Sequence, residues 1–197
     1  MKKLKNFYQN KNINFIILGV SGSGKGTQAE LLAKELNLKI VDGGAYLRSL
    51  IKSKEISVSG VKRINRGKLA PTKIVKDWLE NQIQKNCKRG FIISGQPRML
   101  EEAKFVLRCF IENKCSLPKV IFLRVSKKEV YKRLRKRYLR EKRADDLPKG
   151  IKNRLEYFET NVKKVIDYFR KKNILIEIDG EQSIENVHKD ILKAINR

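Results

Sequence analysis

A short apolar run, Phe15-Ile16-Ile17-Leu18, breaks into Gly19-Val20-Ser21-Gly22-Ser23-Gly24-Lys25-Gly26-Thr27-Gln28 and then into an amphipathic stretch. Few sequence patterns limit a fold so tightly. The apolar run predicts a buried strand, the glycines a loop, and the periodic residues after Lys25 a helix. Glycines let successive backbone N–H groups turn toward one point, and the helix directs the positive end of its dipole there. Lys25 adds a full mobile charge. The pattern is that of a phosphate-binding loop, with Gly22, Ser23, Gly24, Lys25, Gly26 and Thr27 as candidate contacts. The usual hydroxyl directly after the lysine is replaced by Gly26 and comes one residue later, at Thr27. A Mg²⁺ ion there would be held mainly through nucleotide phosphates, water and carboxylates elsewhere, with no dedicated protein metal site.

At 197 residues the chain suits one well-buried domain, and no Gly/Ser-rich or Pro-rich linker divides it. Its apolar runs are too short to span a bilayer, which argues against a membrane partner. The basic Met1–Lys11 stretch followed by Phe15–Leu18 is too short in its apolar part for a signal peptide. Net charge is +25, which nucleic acid or small phosphorylated ligands would meet. The charge is spread along the chain, densest at Lys127–Arg143, without a cluster of aromatics that would stack bases. It reads as a lysine-rich composition plus a phosphate site rather than as dedicated nucleic-acid binding. Cys87, Cys109 and Cys115 are odd in number and form no CxxC pair, so reduced thiols in a cytoplasmic protein and no zinc site are expected.

Strands and helices alternate. Lys25–Leu36 has Ala29, Leu32, Ala33 and Leu36 at helical spacing; Leu38–Val41 is a strand; Asp42-Gly43-Gly44 reads as a turn before a helix over Ala45–Lys52. A short helix follows at Ser57–Arg66. Thr72 caps a helix to Asn86 with Val75, Trp78, Leu79, Gln82 and Ile83 along one stripe. Gly90–Ser94 is a third strand, Glu101–Asn113 a helix, and Lys119–Val125 a nearly all-apolar fourth strand. Ser126 caps a helix over Lys127–Arg137, and Pro148 opens a long helix to Lys172 with Val162, Val165, Ile166 and Phe169 inward. Asn173–Asp179 is a fifth strand, and Ser183 caps a last helix packing Ile184, Val187, Ile191, Leu192 and Ile195. Such alternation predicts an α/β fold with a parallel sheet covered on both faces and ligands at the carboxyl ends of the strands.

The loop Gly-x-x-Gly-x-Gly-Lys-Gly-Thr-Gln resembles that of the adenylate kinase family of nucleoside monophosphate kinases, in its short-lid form, and further matches follow in order over nearly the whole chain. Val41–Arg48 is similar to the family's monophosphate-binding segment, Gly67–Pro71 to its Gly-x-Leu-Val-Pro, and Gly90–Arg98 to its Gly-Phe-aliphatic-aliphatic-Asp-Gly-Phe-Pro-Arg. Arg143-Ala144-Asp145-Asp146 and the later Arg154-Leu155, with Tyr157 close behind, resemble its lid-closing segment. The resemblance implies a P-loop NTPase-type three-layer fold with a five-stranded parallel sheet. It implies one domain over 1–197, a small helical acceptor-binding insert at about 43–70 and a short lid at about 138–146. It implies an ATP-dependent phosphotransferase that takes a nucleoside monophosphate, first of all AMP, and uses Mg²⁺. Lys25, Arg137, Arg143 and Arg154 would stabilise the moving phosphoryl group. Arg133 and Gln182 would join the loop in binding ATP. Gly43, Arg48, Lys68, Ala70, Gly95, Arg98 and Glu102 would hold the acceptor. Members of this size imply a monomer. Gly43, Gln96 and Glu102 depart from the pattern near the acceptor base, which leaves open CMP, UMP or GMP. Ala45 and Ser94 stand where the family has acids that organise the water around Mg²⁺; with the +25 charge, this leaves open a weakly active or inactive nucleotide-binding protein associated with RNA.

Overall fold

A computed structural model describes residues 13–57, 60–61 and 70–196. In chain order the elements are β1 (Phe15–Leu18), α1 (Lys25–Leu36), β2 (Lys39–Asp42), α2 (Gly43–Lys52), α3 (Thr72–Asn86), β3 (Phe91–Ser94) and α4 (Leu100–Glu112). They continue with β4 (Lys119–Arg124), α5 (Lys127–Glu141), a 3₁₀ turn at Ala144–Asp146, α6 (Pro148–Tyr157), a π turn at Phe158–Val162, α7 (Lys163–Lys171), β5 (Leu175–Asp179) and α8 (Ile184–Ile195). The five strands are all parallel, in the order β2-β3-β1-β4-β5. This is the expected α/β architecture of the P-loop type, with sheet reversal at β1 and the phosphate loop leaving its carboxyl end.

Strand periodicity of two divides the core. Phe15, Ile17, Ile92, Ile121 and Leu123 face one layer with Ala29 and Leu32 of α1 and Val187 and Ile191 of α8. Ile16, Leu18, Phe91, Ile93, Val120 and Phe122 face the other with α3, α4 and α7. Trp78 belongs to this second layer and stacks on Tyr46 at 5.0 Å between ring centroids. A third cluster of Val20, Val130, Leu134, Ile151 and Leu155 fastens α5 and α6 to the phosphate loop. Burying each such aliphatic side chain contributes about 1.5–3 kcal/mol, so two helices rich in basic residues are held against a basic loop by apolar contact.

Several local expectations change. Gly43 and Gly44 are the first turn of α2 rather than a turn before it, because the Asp42 carboxylate accepts from the Ala45 amide at 2.6 Å and caps the helix two residues early. Pro71, not Thr72, occupies the cap position of α3, and no side chain caps it. The helix expected to stop at Arg137 runs to Glu141, and Lys142 ends it in the left-handed region, so part of the expected lid is helical. The long helix after Pro148 is interrupted by the π turn. Ile184 is exposed at the start of α8, whereas Val187, Ile191 and Ile195 are buried as expected. Cys87 and Cys115 are joined in a disulfide, contrary to the expected reduced thiols, while Cys109 is free and buried. They meet because α3 and α4 pack side by side and end close together. Of the expected helix at Ser57–Arg66, residues 58–59 and 62–66 lie outside the described residues.

Candidate active site

The phosphate loop folds as its glycines require. Gly22 and Gly24 have φ of 86° and 94°, a region costly for other residues. A Cβ at Gly22 would also press on Leu134 at 3.1 Å. No side chain caps the N-terminus of α1, so its first amides are left for a ligand. Ser126 does cap α5, accepting from the Glu129 amide at 3.3 Å.

The loop forms the floor of a cleft of about 870 Å³ at the carboxyl ends of the strands. Gly22, Ser23, Gly24, Lys25, Gly26 and Thr27 line it, as do Arg133, Arg137, Arg143 and Gln182. A recess of about 120 Å³ shares its wall at Lys25, Arg48, Gly95, Arg98 and Arg143 and adds Arg154 and Tyr157. The structure therefore brings together all eight residues expected to bind ATP, the four expected to act on the phosphoryl group, and Arg48, Gly95 and Arg98 of the acceptor set.

Among the described residues, Lys25 donates to the Val20 carbonyl at 2.9 Å, a contact a phosphate oxygen would replace. Burial, then Arg98, lowers its pKa to about 7, and Asp42 opposes the shift. Arg137 makes a two-pronged pair with Asp146, Nε and Nη2 each 2.6 Å from its oxygens. Arg154 reaches the same carboxylate at 2.9 Å and also pairs with Asp145. Both arginines donate to Ser21 Oγ, at 3.3 and 3.0 Å. Arg143 pairs with Asp145 at 3.4 Å and with Glu141 at 3.7 Å. Burial and neighbouring arginines lower the pKa of Arg154 to about 9, and burial with Arg137 lowers that of Arg143. Mutually repelling cations are thus held together by carboxylates of the chain itself.

On the other side Arg48 stands 3.8 Å from Asp42, and Arg98 Nε donates to the Gly95 carbonyl at 2.8 Å. Burial, then Arg143, lowers the pKa of Arg48. Tyr157 donates to the Arg98 carbonyl at 2.9 Å, tying α6 to this clamp. Elsewhere along the cleft wall, Arg133 donates to Glu129 at 2.8 Å and Gln182 to Asp190 at 2.9 Å.

Three expected acceptor contacts do not line the cleft. Glu102 is 1% exposed and accepts from the amides of Arg98 and Met99 at 2.8 and 3.1 Å, serving as the acid of a capping box at the start of α4. Gly43 is buried against Gln96, and Ala70 is in the core. Lys68 lies outside the described residues. Sequence reasoning missed Ser21 and Asp146, which organise the arginines. A signal existed for Asp146, since an acid nine residues after Arg137 can reach back to it when the chain turns at a helix end.

Among the described residues no group of three His, Cys, Asp or Glu side chains could hold a metal. The oxygen-bearing residues that line the cleft include Thr27, Asp42 and Ser94, hard ligands that suit Mg²⁺ held through water and phosphate. Among the described residues no helix is long and apolar enough to cross a membrane.

A family model described as adenylate kinase matches residues 17–174. An adenylate kinase of Leptospira biflexa is 34% identical over 182 residues, covering 91% of this chain and 98% of that one. One from Azobacteroides pseudotrichonymphae is 36% identical over 186 residues, 93% of this chain and 97% of its own. One from Methanocella arvoryzae is 28% identical over 214 residues, 94% and 99% respectively.

Proposed function

We propose that this chain, which belongs to the adenylate kinase family and is an ATP-dependent nucleoside monophosphate kinase, takes AMP as its acceptor and returns two ADP. The observation that carries the reading is one cleft with cations on two sides of the phosphate loop. Lys25, Arg137, Arg143 and Arg154 gather at its centre, with Arg48 and Arg98 toward the recess. Two nucleotides laid end to end would place their phosphates between these groups.

The chemistry asks for alignment and charge neutralisation. The loop amides and Lys25 hold the β- and γ-phosphates of ATP. Arg48 and Arg98 hold the acceptor phosphate, and a guanidinium does so through two parallel hydrogen bonds. The acceptor oxygen is already anionic, so it attacks the γ-phosphorus with no base needed. The P–O bond to the β-phosphate breaks, and the electron pair leaves on ADP. Arg137, Arg143 and Arg154 meet the charge that spreads over the equatorial oxygens. Removing one such donor costs about 10²–10³ in rate. Bound Mg²⁺ would neutralise part of the triphosphate charge, and Thr27, Asp42 and Ser94 of the cleft lining would hold its water shell. The segments at about 43–70 and 138–146 act as acceptor insert and lid, and water is excluded when they close. We take the protein to be a monomer of the cytoplasm by its likeness to the family, since the Cys87–Cys115 disulfide removes the reduced-thiol argument for that compartment.

A coupled assay offering AMP, CMP, UMP and GMP with MgATP tests the reading, and a preference for any acceptor but AMP would refute it. Of the three departures that leave open another acceptor, Gly43, Gln96 and Glu102, the last is already engaged at the start of α4, where it accepts from the Arg98 and Met99 amides.

A further inference from the structure

We propose that Asp42 is the positioning carboxylate for the hydrated divalent cation that ATP brings to this cleft, acting from the end of β2 because the end of β3 offers only Ser94. The inference rests on the phosphotransfer reading above.

The sheet register sets the geometry. Asp42 and Ser94 are paired partners at the last positions of neighbouring parallel strands, so their side chains project at the same level about 5 Å apart. Both line the cleft beside Lys25 and Thr27. Ser94 is 1% exposed, and its Oγ has no partner among the described residues. A buried hydroxyl without a hydrogen bond is costly, and one at the wall of a phosphate site is ready to bind an ordered water. Ser94 carries no charge, however, so it cannot by itself hold a hydrated cation among so many arginines.

Most acids of the cleft wall are already committed. Asp145 and Asp146 are locked to Arg143, Arg154 and Arg137, and Glu141 to Arg140 and Arg143. Glu30 is a solvent-exposed residue of α1. Asp42 differs from all of these. Its Oδ1 takes the Ala45 amide and stands 3.8 Å from Arg48, while among the described residues Oδ2 has no partner. Its charge is nonetheless felt through the site, offsetting the fall in pKa of Lys25, Arg48 and Arg143. A carboxylate with one free oxygen, beside an unsatisfied hydroxyl and across from the triphosphate lysine, is suited to bind water that surrounds Mg²⁺.

Asp42 also caps α2, so the test must separate charge from cap. Asn caps a helix about as well as Asp, and Asp42→Asn therefore removes the charge alone. Affinity for ATP is measured calorimetrically with Mg²⁺ and with a chelator, in the wild type, in Asp42→Asn and in the double variant Asp42→Asn with Ser94→Asp. Thermal melting confirms that each is folded. The wild type is expected to bind ATP more tightly with Mg²⁺. Asp42→Asn should lose roughly ten- to hundredfold of that gain, with chelated ATP bound no worse. The double variant should recover it, since the acid is returned one strand away. An Mg²⁺-dependent gain of wild-type size in Asp42→Asn, or no gain in the wild type, overturns the proposal. Turnover with AMP separates the two readings. A turning-over enzyme whose Asp42→Asn form keeps its Mg²⁺ response sinks only this inference. A protein inactive on every monophosphate, yet losing Mg²⁺-dependent ATP binding in Asp42→Asn, sinks only the reaction.

Discussion

ATP binding should draw a proton from solution at pH 8, and Lys25 should be the group that takes it. In the free protein Lys25 has a pKa of about 7, depressed first by burial and then by Arg98. At pH 8 it is therefore only about one-tenth protonated. A phosphate charge arriving within about 4 Å supplies about 4 kcal/mol at an effective dielectric of about 20, or roughly three pKa units toward protonation. That returns Lys25 to near its ordinary value and fixes about 0.9 of a proton per ATP bound. Arg154, at about 9, adds at most about one-tenth. The phosphate itself, with a second pKa of about 6, has no proton left to give. Calorimetric titration with ATP in two buffers of different ionisation enthalpy counts the protons directly. Uptake should be near 0.9 at pH 8 and no more than about 0.1 in Lys25→Met, and at pH 6, where the phosphate is itself about half protonated and gives up that proton on binding, it should turn into a net release of about 0.4. A buffer-independent heat at pH 8, or the same uptake in Lys25→Met, would refute the reasoning. The sign carries over to folding. Between about pH 7 and the ordinary 10.5 the unfolded chain holds more protons at this position, so the Lys25 contribution makes the free protein more stable as pH rises through that window.

Asp146→Ala should lower stability by about 3–5 kcal/mol and turnover by about 10²–10³, since it leaves Arg137 without its buried counter-charge and Arg154 with Asp145 alone; urea unfolding and the coupled assay measure the two. Glu102→Ala should cost about 1 kcal/mol of stability through the lost cap while leaving the ranking of monophosphates unchanged, and a changed ranking would restore Glu102 as a reader of the base. Reducing Cys87–Cys115, which are 28 residues apart, should destabilise the fold by about 3–4 kcal/mol. Thiol titration of the denatured chain should count one thiol before reduction and three after.

The framework was legible because the helix and strand signals agreed with one another. Lys25–Leu36 was read to the residue, since its apolar spacing starts at the lysine and ends at Asn37, which adopts the left-handed conformation. The cleft was legible for a similar reason: its cations come from motifs with fixed neighbours. What was not legible depends on contacts distant in sequence or on which of two roles a side chain takes. Glu102 fits a base reader and a helix-terminal acid in the sequence, and only the fold brings its carboxylate onto the Arg98 and Met99 amides. The Asp42 cap outweighed the turn preference of Gly43-Gly44. The partnership of Cys87 with Cys115 needs the packing of α3 on α4, which no spacing rule encodes.

The Asp146 carboxylate has further significance. Its side chain is fully enclosed and grips both Arg137 and Arg154. Like charges are forced into proximity once, during folding, by energy drawn from the surrounding apolar packing. A triphosphate that enters this cleft therefore meets guanidinium groups whose mutual repulsion is already balanced, and its own binding energy need not gather them.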